Sequence, residues 1–163
     1  MDKTITVPNA QFVPNNEGSV VRGAIMSHGT MECYNLTESR KFYEEFLGLE
    51  CVRQGLPAMF VRCGLKFHIV ALQAGDDLKP ARIQQHWGIE VGSREEVERI
   101  HKAAIELKDK YKIGVIHEPT LMHGTYSFYF EDLDHNWWEV AFYDGFQHDD
   151  AFEFGDLVPM EPA

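Results

Sequence analysis

The sequence predicts an α+β fold in which two βαβββ modules form one incomplete barrel around a cavity. The first observation is element order: a strand, a helix and three further strands are predicted twice along the 163 residues. The second is a polar, proline-containing linker at 74–81 between the two runs. The third is that the runs align, with SHGTMEC over QHWGIEV and FHIVALQAG over WWEVAFYDG. These features indicate an internal repeat of roughly 55–60 residues.

The first module, residues 24–74, follows an N-terminal arm at 1–23 that Pro and Asn residues interrupt. It opens with a strand at AIMSHGTMEC. The segment LTES then resembles a capped helix start, and Gly48 is typical of the residue that ends a helix. One apolar face of this helix would consist of Phe42, Phe46 and Leu47. Three strands follow at LECVRQ, AMFVRC and KFHIVALQ, which completes the βαβββ order.

The second module, residues 82–145, repeats this order and precedes an acidic tail at 146–163. RIQQHWGIEV predicts a strand, and Ser93 predicts the start of a helix. His101 stands among charged residues of this helix, so we expect solvent around it. The apolar residues that share one helical face are Val97, Ile100, Ala104 and Leu107. IGVIHEP, TYSFYFED and NWWEVAFYD then predict three strands.

The composition fits one domain with neither nucleic acid nor a membrane as partner. The formal net charge is −11, whereas phosphate binding requires a basic surface. No apolar run approaches the roughly 20 residues of a membrane helix, and the N-terminus lacks the apolar segment of a secretory signal. Three cysteines without CxxC spacing suit reduced thiols in a cytoplasmic protein. The acidic tail would cover a sheet edge, close the cavity or pack on a second subunit, and we expect a homo-oligomer.

Glu139 stands in the middle of WWEVAF, a strand that otherwise consists of core residues. Burying a carboxylate is costly unless something neutralises its charge. One explanation is that Glu139 lies on the solvent face of an edge strand. The other is a divalent metal, because His28 and His86 occupy equivalent places in the two modules and would face each other across the cavity. Two imidazoles and one carboxylate leave coordination positions open, as in non-haem Fe(II) oxygenases.

On these residues, the chain from 24 to 145 resembles the vicinal oxygen chelate superfamily and, within it, the type I extradiol ring-cleaving dioxygenases. The resemblance implies paired βαβββ modules around a metal cavity. It implies that His28, His86 and Glu139 bind Fe(II), although Mn(II) or another divalent metal would suit the same ligands. The implied reaction uses O₂ to cleave a small catechol-type aromatic diol, as in aromatic compound catabolism.

Three further residues resemble active-site residues of these dioxygenases. His68, in KFHIVAL, matches their acid/base, which exchanges a proton with the substrate. His123 and Tyr129 match the histidine and tyrosine that precede the glutamate ligand, and would hydrogen-bond the substrate oxygens. Their spacing is one residue shorter than usual. The chain also departs from the family signature at Leu133 and His135, where the family usually has Pro and then Gly or Pro.

Two other function classes of the same fold stay open. Glyoxalase I-like isomerases, epimerases and lyases use a fourth ligand, a Glu on the last strand of the first module. The repeat alignment puts Ile69 there, and no adjacent residue is a carboxylate. Because side chains alternate along a strand, His68 and Ile69 cannot both face the metal. We favour a one-residue shift that turns His68 to the cavity, as the acid/base or as a fourth ligand. The bleomycin-resistance proteins instead sequester a ligand without a metal.

Overall fold

The computed structural model describes residues 20, 26–64, 67–122 and 124–143. The chain divides between Lys79 and Pro80 into two compact units, which we call the N-terminal unit and the C-terminal unit. This boundary lies inside the linker predicted at 74–81. The predicted acidic tail, and the predicted arm apart from Val20, lie outside the described residues.

The described part of the N-terminal unit contains one α-helix and a four-stranded mixed sheet. Its elements are β1 (His28–Cys33), α1 (Leu36–Glu45), β2 (Glu50–Gly55), β3 (Ala58–Arg62) and β4 (His68–Gln73), followed by a short 3-10 helix at Gly75–Asp77. The strand order is β1-β4-β3-β2. β1 and β4 are parallel, while β4 with β3 and β3 with β2 are antiparallel. This is the βαβββ order that the sequence predicts.

Helix α1 begins after Asn35, whose side chain accepts hydrogen bonds from the backbone N–H groups of Thr37 and Glu38. The capping residue therefore lies one position before the predicted LTES start. The helix ends at Glu45, and Gly48 beyond it has φ 68°, a left-handed conformation that glycine adopts without strain. The apolar core of this unit, at most 8% exposed, is made of Met31, Cys33, Leu36, Phe42, Tyr43, Leu49, Cys51, Met59, Val61, Ile69 and Ala71.

The C-terminal unit repeats this architecture. Its elements are β5 (His86–Glu90), α2 (Arg94–Glu106), α3 (Lys108–Tyr111), β6 (Thr120–Met122), β7 (Thr125–Glu131) and β8 (Trp137–Tyr143). The strand order is β5-β8-β7-β6, with β5 parallel to β8 and the other pairs antiparallel. The strand predicted first after the helix is the exception. Most of IGVIHEP forms only an isolated bridge, between Ile116 and Phe130, and the regular strand β6 starts after Pro119. Proline lacks the N–H that would continue the pairing.

Helix α2 contacts its sheet through the predicted apolar face, on which Val97 and Ala104 are fully buried. His101 shares this face, because it lies four residues after Val97 and three before Ala104. It is 8% exposed, and its ring meets that of Phe128 edge-on at 5.1 Å between centroids. The expectation that solvent surrounds His101 is therefore wrong. Helical periodicity, rather than the charge of its neighbours, determines where its side chain points.

The turn between β7 and β8 is built on the buried side chain of Asp132, which is 1% exposed. One carboxylate oxygen accepts hydrogen bonds from the backbone N–H groups of Asp134 and Asn136, at 2.8 and 2.9 Å. The other accepts from the indole N–H of Trp138 at 2.9 Å. Burial, followed by the charge of Asp134, raises the pKa of Asp132 to about 7. This carboxylate ties the turn to the start of β8.

The α+β class and the two βαβββ modules predicted from the sequence are confirmed. Each four-stranded sheet is open, and neither closes on itself into a barrel. The predicted joining of both sheets around one cavity stays a prediction. Among the helices of the described ranges, none is long and apolar enough to cross a membrane.

Candidate functional site

Each sheet has one face on its helix and another that points away from it, which we call the site face. In the C-terminal unit, α2 contacts Phe128 on β7, so the next residue, Tyr129, points to the site face. Glu139 on β8 is the cross-strand partner of Tyr129 and therefore shares this face. On its other side Glu139 pairs with Gly88 of β5, and His86 stands two residues before Gly88. Alternation thus puts His86, Glu139 and Tyr129 on one face.

Glu139 does not lie at an edge of the sheet. β8 is hydrogen-bonded to β5 on one side and to β7 on the other, and the Glu139 side chain is only 16% exposed. The explanation that Glu139 is a solvated residue of an edge strand is therefore wrong. A carboxylate this far from water needs a partner that neutralises its charge.

His86 is oriented toward this carboxylate by a backbone hydrogen bond. Its Nδ1 lies 2.7 Å from the carbonyl oxygen of Ile83. Because a carbonyl only accepts, Nδ1 must carry a proton and donate it. The neutral ring then has its lone pair on Nε2, which lies 3.4 Å from Oε2 of Glu139. Two acceptors facing each other are stable if the ring is protonated or if both bind one cation. A carbonyl that fixes the ring in this way is typical of metal-binding histidines.

Tyr129 donates a hydrogen bond to the Glu139 carboxylate and keeps its proton. Burial, then this hydrogen bond and the charge of Glu139, raise the pKa of Tyr129 to about 12. Its ring also meets that of His86 edge-on, at 5.0 Å between centroids. The phenol is therefore a proton-bearing donor next to both groups.

The site face of the N-terminal unit carries two histidines instead. His28 on β1 is the register partner of His68 on β4, and their rings stack at 5.6 Å with an interplanar angle of 19°. Ser27 Oγ lies 2.8 Å from Nδ1 of His28, and the Phe60 ring lies 4.5 Å from that of His68. Stacked rings hold their lone pairs in separate, nearly parallel planes, whereas two ligands of one metal must converge on it. This arrangement suits one of the two rings, rather than both, as a ligand of a single metal.

The strand register agrees with the favoured one-residue shift of the repeat alignment. Val70 pairs with Thr30, which stands two residues after His28. Glu139 likewise pairs with Gly88, two residues after His86. Val70 is therefore the counterpart of Glu139. Ile69 is 8% exposed and belongs to the core, while His68 points to the site face. The position that a glyoxalase I-like fourth ligand would occupy thus carries a valine.

The predicted site residues fall into two groups, His86, Tyr129 and Glu139 in the C-terminal unit and His28 and His68 in the N-terminal unit. His123 lies outside the described residues. Taken singly, neither unit holds three His, Cys, Asp or Glu side chains grouped as metal ligands in the part of the chain that the structure describes. The predicted ligand set takes residues from both units, and it stays a prediction.

Trp137 lies on this site face but was not among the predicted site residues. Trp137 is half-buried, pairs with His86 across the strands, and meets the ring of His117 edge-on at 5.5 Å between centroids. Its neighbour Trp138 belongs to the core, at 1% exposure. The signal that distinguishes the two tryptophans is alternation, because Trp137 stands two residues before Glu139.

Glu90 and Tyr143 extend the same face toward the ends of β5 and β8. Burial, followed by the charges of Glu139 and then Glu90, raises the pKa of Tyr143. Together with Trp137, these two residues add carboxylate and ring surface beside Glu139, although none of the three was predicted as a site residue. For Glu90 the signal was its place four residues after His86, which the repeat shares with Glu32 after His28.

The family model described as the glyoxalase/bleomycin resistance protein/dioxygenase superfamily matches residues 26–140. The chain belongs to this superfamily. The matched range includes the three predicted metal ligands, His28, His86 and Glu139. No curated protein matches the chain.

Solved structures similar to this superfamily member include proteins with different names. A structure named as a possible glyoxalase from Bacillus cereus is 22% identical, with a TM-score of 0.58, and the match covers 72% of this chain and 98% of that one. A lactoylglutathione lyase from Agrobacterium tumefaciens is 19% identical, with a TM-score of 0.53, and the match covers 75% of this chain and 96% of that one. The fosfomycin resistance protein FosX from Listeria monocytogenes is 21% identical, with a TM-score of 0.57, and the match covers 72% of this chain and 92% of that one. These likenesses show the fold.

Proposed function

We propose that the protein is an Fe(II)-dependent extradiol dioxygenase that cleaves a catechol-type aromatic diol with O₂. The observation that carries this proposal is the acceptor pair on the C-terminal site face, where Nε2 of His86 lies 3.4 Å from Oε2 of Glu139. A shared divalent cation would satisfy both acceptors, and an imidazole with a carboxylate suits Fe(II) or Mn(II). The proposal takes His28 of the other unit as the third ligand.

The chemistry that the bound metal would supply is a lowered pKa of the substrate hydroxyls and a binding position for O₂. The chain's own residues would do the rest. The Ile83 carbonyl fixes the tautomer of His86, and Tyr129 holds a proton beside Glu139. His68, stacked on His28, would accept a proton from a substrate hydroxyl and return it later, which an imidazole does near neutral pH.

Two features favour a dioxygenase over an isomerase of the same superfamily. Val70 occupies the counterpart position of Glu139, so the position expected for a fourth carboxylate ligand is apolar. Three protein ligands would leave positions for a diol and for O₂. The stacking of His68 on His28 supports a role for His68 in proton exchange rather than in ligation. The proposal further includes a cytoplasmic homo-oligomer without a nucleic-acid or membrane partner. The net charge of −11 supports the absence of a nucleic-acid partner.

The test is to load the protein anaerobically with Fe(II), remove excess iron, measure the iron content, and record O₂ uptake with a panel of catechols. We expect about one iron per chain, and one O₂ consumed for each diol with appearance of the ring-opened semialdehyde. Bound iron without O₂ uptake on any diol would contradict the dioxygenase and favour a metal-dependent isomerase, epimerase or lyase. Absence of bound metal under every loading condition would favour a ligand-sequestering protein.

A further inference from the structure

We infer that Trp137 contacts the ring of the substrate, and that this substrate is an aromatic diol without a charged substituent. The inference deepens the proposed function and rests on it. Trp137 is half-buried on the site face of the C-terminal unit, as the register partner of His86 and two residues before Glu139. A molecule that reaches the proposed metal ligands on this face therefore also reaches the indole.

Aromatic side chains surround the Glu139 carboxylate on this face. The His117 ring meets Trp137 edge-on at 5.5 Å, and Tyr129 meets His86 edge-on at 5.0 Å. Aromatic pairs prefer edge-to-face or offset-stacked contacts, and such contacts add affinity beyond the area that they bury. A planar ring bound beside Glu139 would find these partners, whereas a thin aliphatic substrate would leave them unused.

The other two tryptophans do not have this position. Trp138 is 1% exposed and donates its indole N–H to Asp132. Trp87 is the register partner of Trp138, so it points to the opposite face of β5 from His86. Trp87 therefore provides a matched control for a substitution at Trp137 in the same sheet.

The charges of this sheet select against an anionic substituent. None of the strands β5 to β8 contains a lysine or an arginine. Glu90 stands two residues after Gly88, the register partner of Glu139, and adds negative charge to the site face. A carboxylate on the substrate would meet repulsion from Glu90 and find no lysine or arginine on the four strands. An uncharged ring carries no such penalty.

The experiment compares iron-loaded wild type, Trp137→Leu, Trp137→Phe and Trp87→Leu. Steady-state O₂ uptake is measured with catechol and with 3,4-dihydroxybenzoate, and anaerobic catechol binding is measured by quenching of tryptophan fluorescence. We expect Trp137→Leu to raise KM and Kd for catechol about tenfold with iron content unchanged and kcat within about twofold. Trp137→Phe, which keeps a ring, should stay within about threefold of wild type, and Trp87→Leu should match wild type. Wild type should prefer catechol by at least about tenfold in kcat/KM.

Each result points to a different part of the inference. If Trp137→Leu keeps the wild-type KM and Kd for catechol, the ring contact is overturned. The same holds if Trp87→Leu raises KM and Kd as much as Trp137→Leu does. Equal kcat/KM for the two diols would overturn the uncharged substrate class. If Trp137→Leu does not fold, the ring contact is tested with Trp137→Phe, and the substrate class with the comparison of the two diols. If catechol binding depends on Trp137 but no O₂ is consumed, the ring contact is supported and the proposed reaction is contradicted. If neither O₂ uptake nor Trp137-dependent binding is found, both the proposed reaction and the ring contact are overturned.

Discussion

The two sheets have the same strand register but differ in the chemistry of their cross-strand pairs. In the N-terminal unit Val70 of β4 pairs with Phe60 of β3. In the C-terminal unit the corresponding pair is Glu139 of β8 with Tyr129 of β7. The backbone that holds an apolar pair in one unit thus holds a buried carboxylate and its hydrogen-bond donor in the other. The carboxylate is therefore not a requirement of the fold.

The adjacent pair differs as well. His28 faces a second imidazole, His68, whereas His86 faces the indole of Trp137. The histidine of the first strand is the one site-face group that both pairs share. One unit therefore offers an additional proton acceptor, and the other offers a carboxylate and ring surface. This division suits a reaction that needs metal ligation, proton transfer and contact with an aromatic ring.

The largest expected effect comes from making the C-terminal pair resemble the N-terminal one. Glu139→Val removes the proposed carboxylate ligand, so we expect stoichiometric iron binding to be lost, with affinity reduced at least about a thousandfold. Iron is measured after anaerobic loading and gel filtration. Val70→Ala, at the counterpart position, should bind iron like wild type. Iron retained at one per chain in Glu139→Val, or lost equally in Val70→Ala, would contradict the assigned difference between the units.

A second test concerns the turn that precedes Glu139. The β7–β8 turn is built on the buried Asp132, whereas the β3–β4 connection, CGLKF, contains no Asp or Asn. The folded protein raises the pKa of Asp132 to about 7, above the value near 4 of an unfolded chain, so it binds this proton more tightly than the unfolded state does. Asp132 therefore makes the free energy of unfolding fall as pH rises from about 4 to about 7.

Asp132→Asn abolishes this titration but leaves the indole N–H of Trp138 facing an amide. Urea unfolding from pH 4 to pH 8 should show the stability difference between wild type and Asp132→Asn changing by on the order of 4 kcal/mol, with wild type losing more as pH rises. Asp109→Asn, an exposed residue of α3, should give a curve parallel to that of wild type. Parallel curves for Asp132→Asn would show that burial does not hold a proton on this carboxyl.

The sequence was sufficient for the βαβββ order of the two modules and for placing His28 and His86 on their first strands, because both follow from periodicity and from the repeat. It was not sufficient for the side-chain direction of β4, since His68 and Ile69 are adjacent and strand register decides which of them points to the site face. His101 was misjudged because its helix neighbours are charged. The hydrogen bonds of Asp132 depend on a turn conformation that no local pattern specified, and His135 in this turn has φ 60° where the family usually has Gly or Pro. In each case the deciding contact comes from another element or from the backbone conformation.

The smallest expected effect comes from Tyr129→Phe, which reproduces the Phe60 of the other unit. With a pKa of about 12, Tyr129 keeps its proton at any pH at which the protein is assayed, so its loss removes one donor to Glu139 without changing charge. Outer hydrogen bonds to a metal ligand typically contribute tenfold to a hundredfold to affinity or activity. We therefore expect iron content to stay at one per chain and kcat on catechol to fall about tenfold, in the O₂ uptake assay. Phe60→Leu is the control and should leave iron content unchanged. If Tyr129→Phe loses as much iron as Glu139→Val, metal binding depends on the phenol as well as on the carboxylate. The distinction between the two sheets would then rest on the Tyr129–Glu139 pair as a whole.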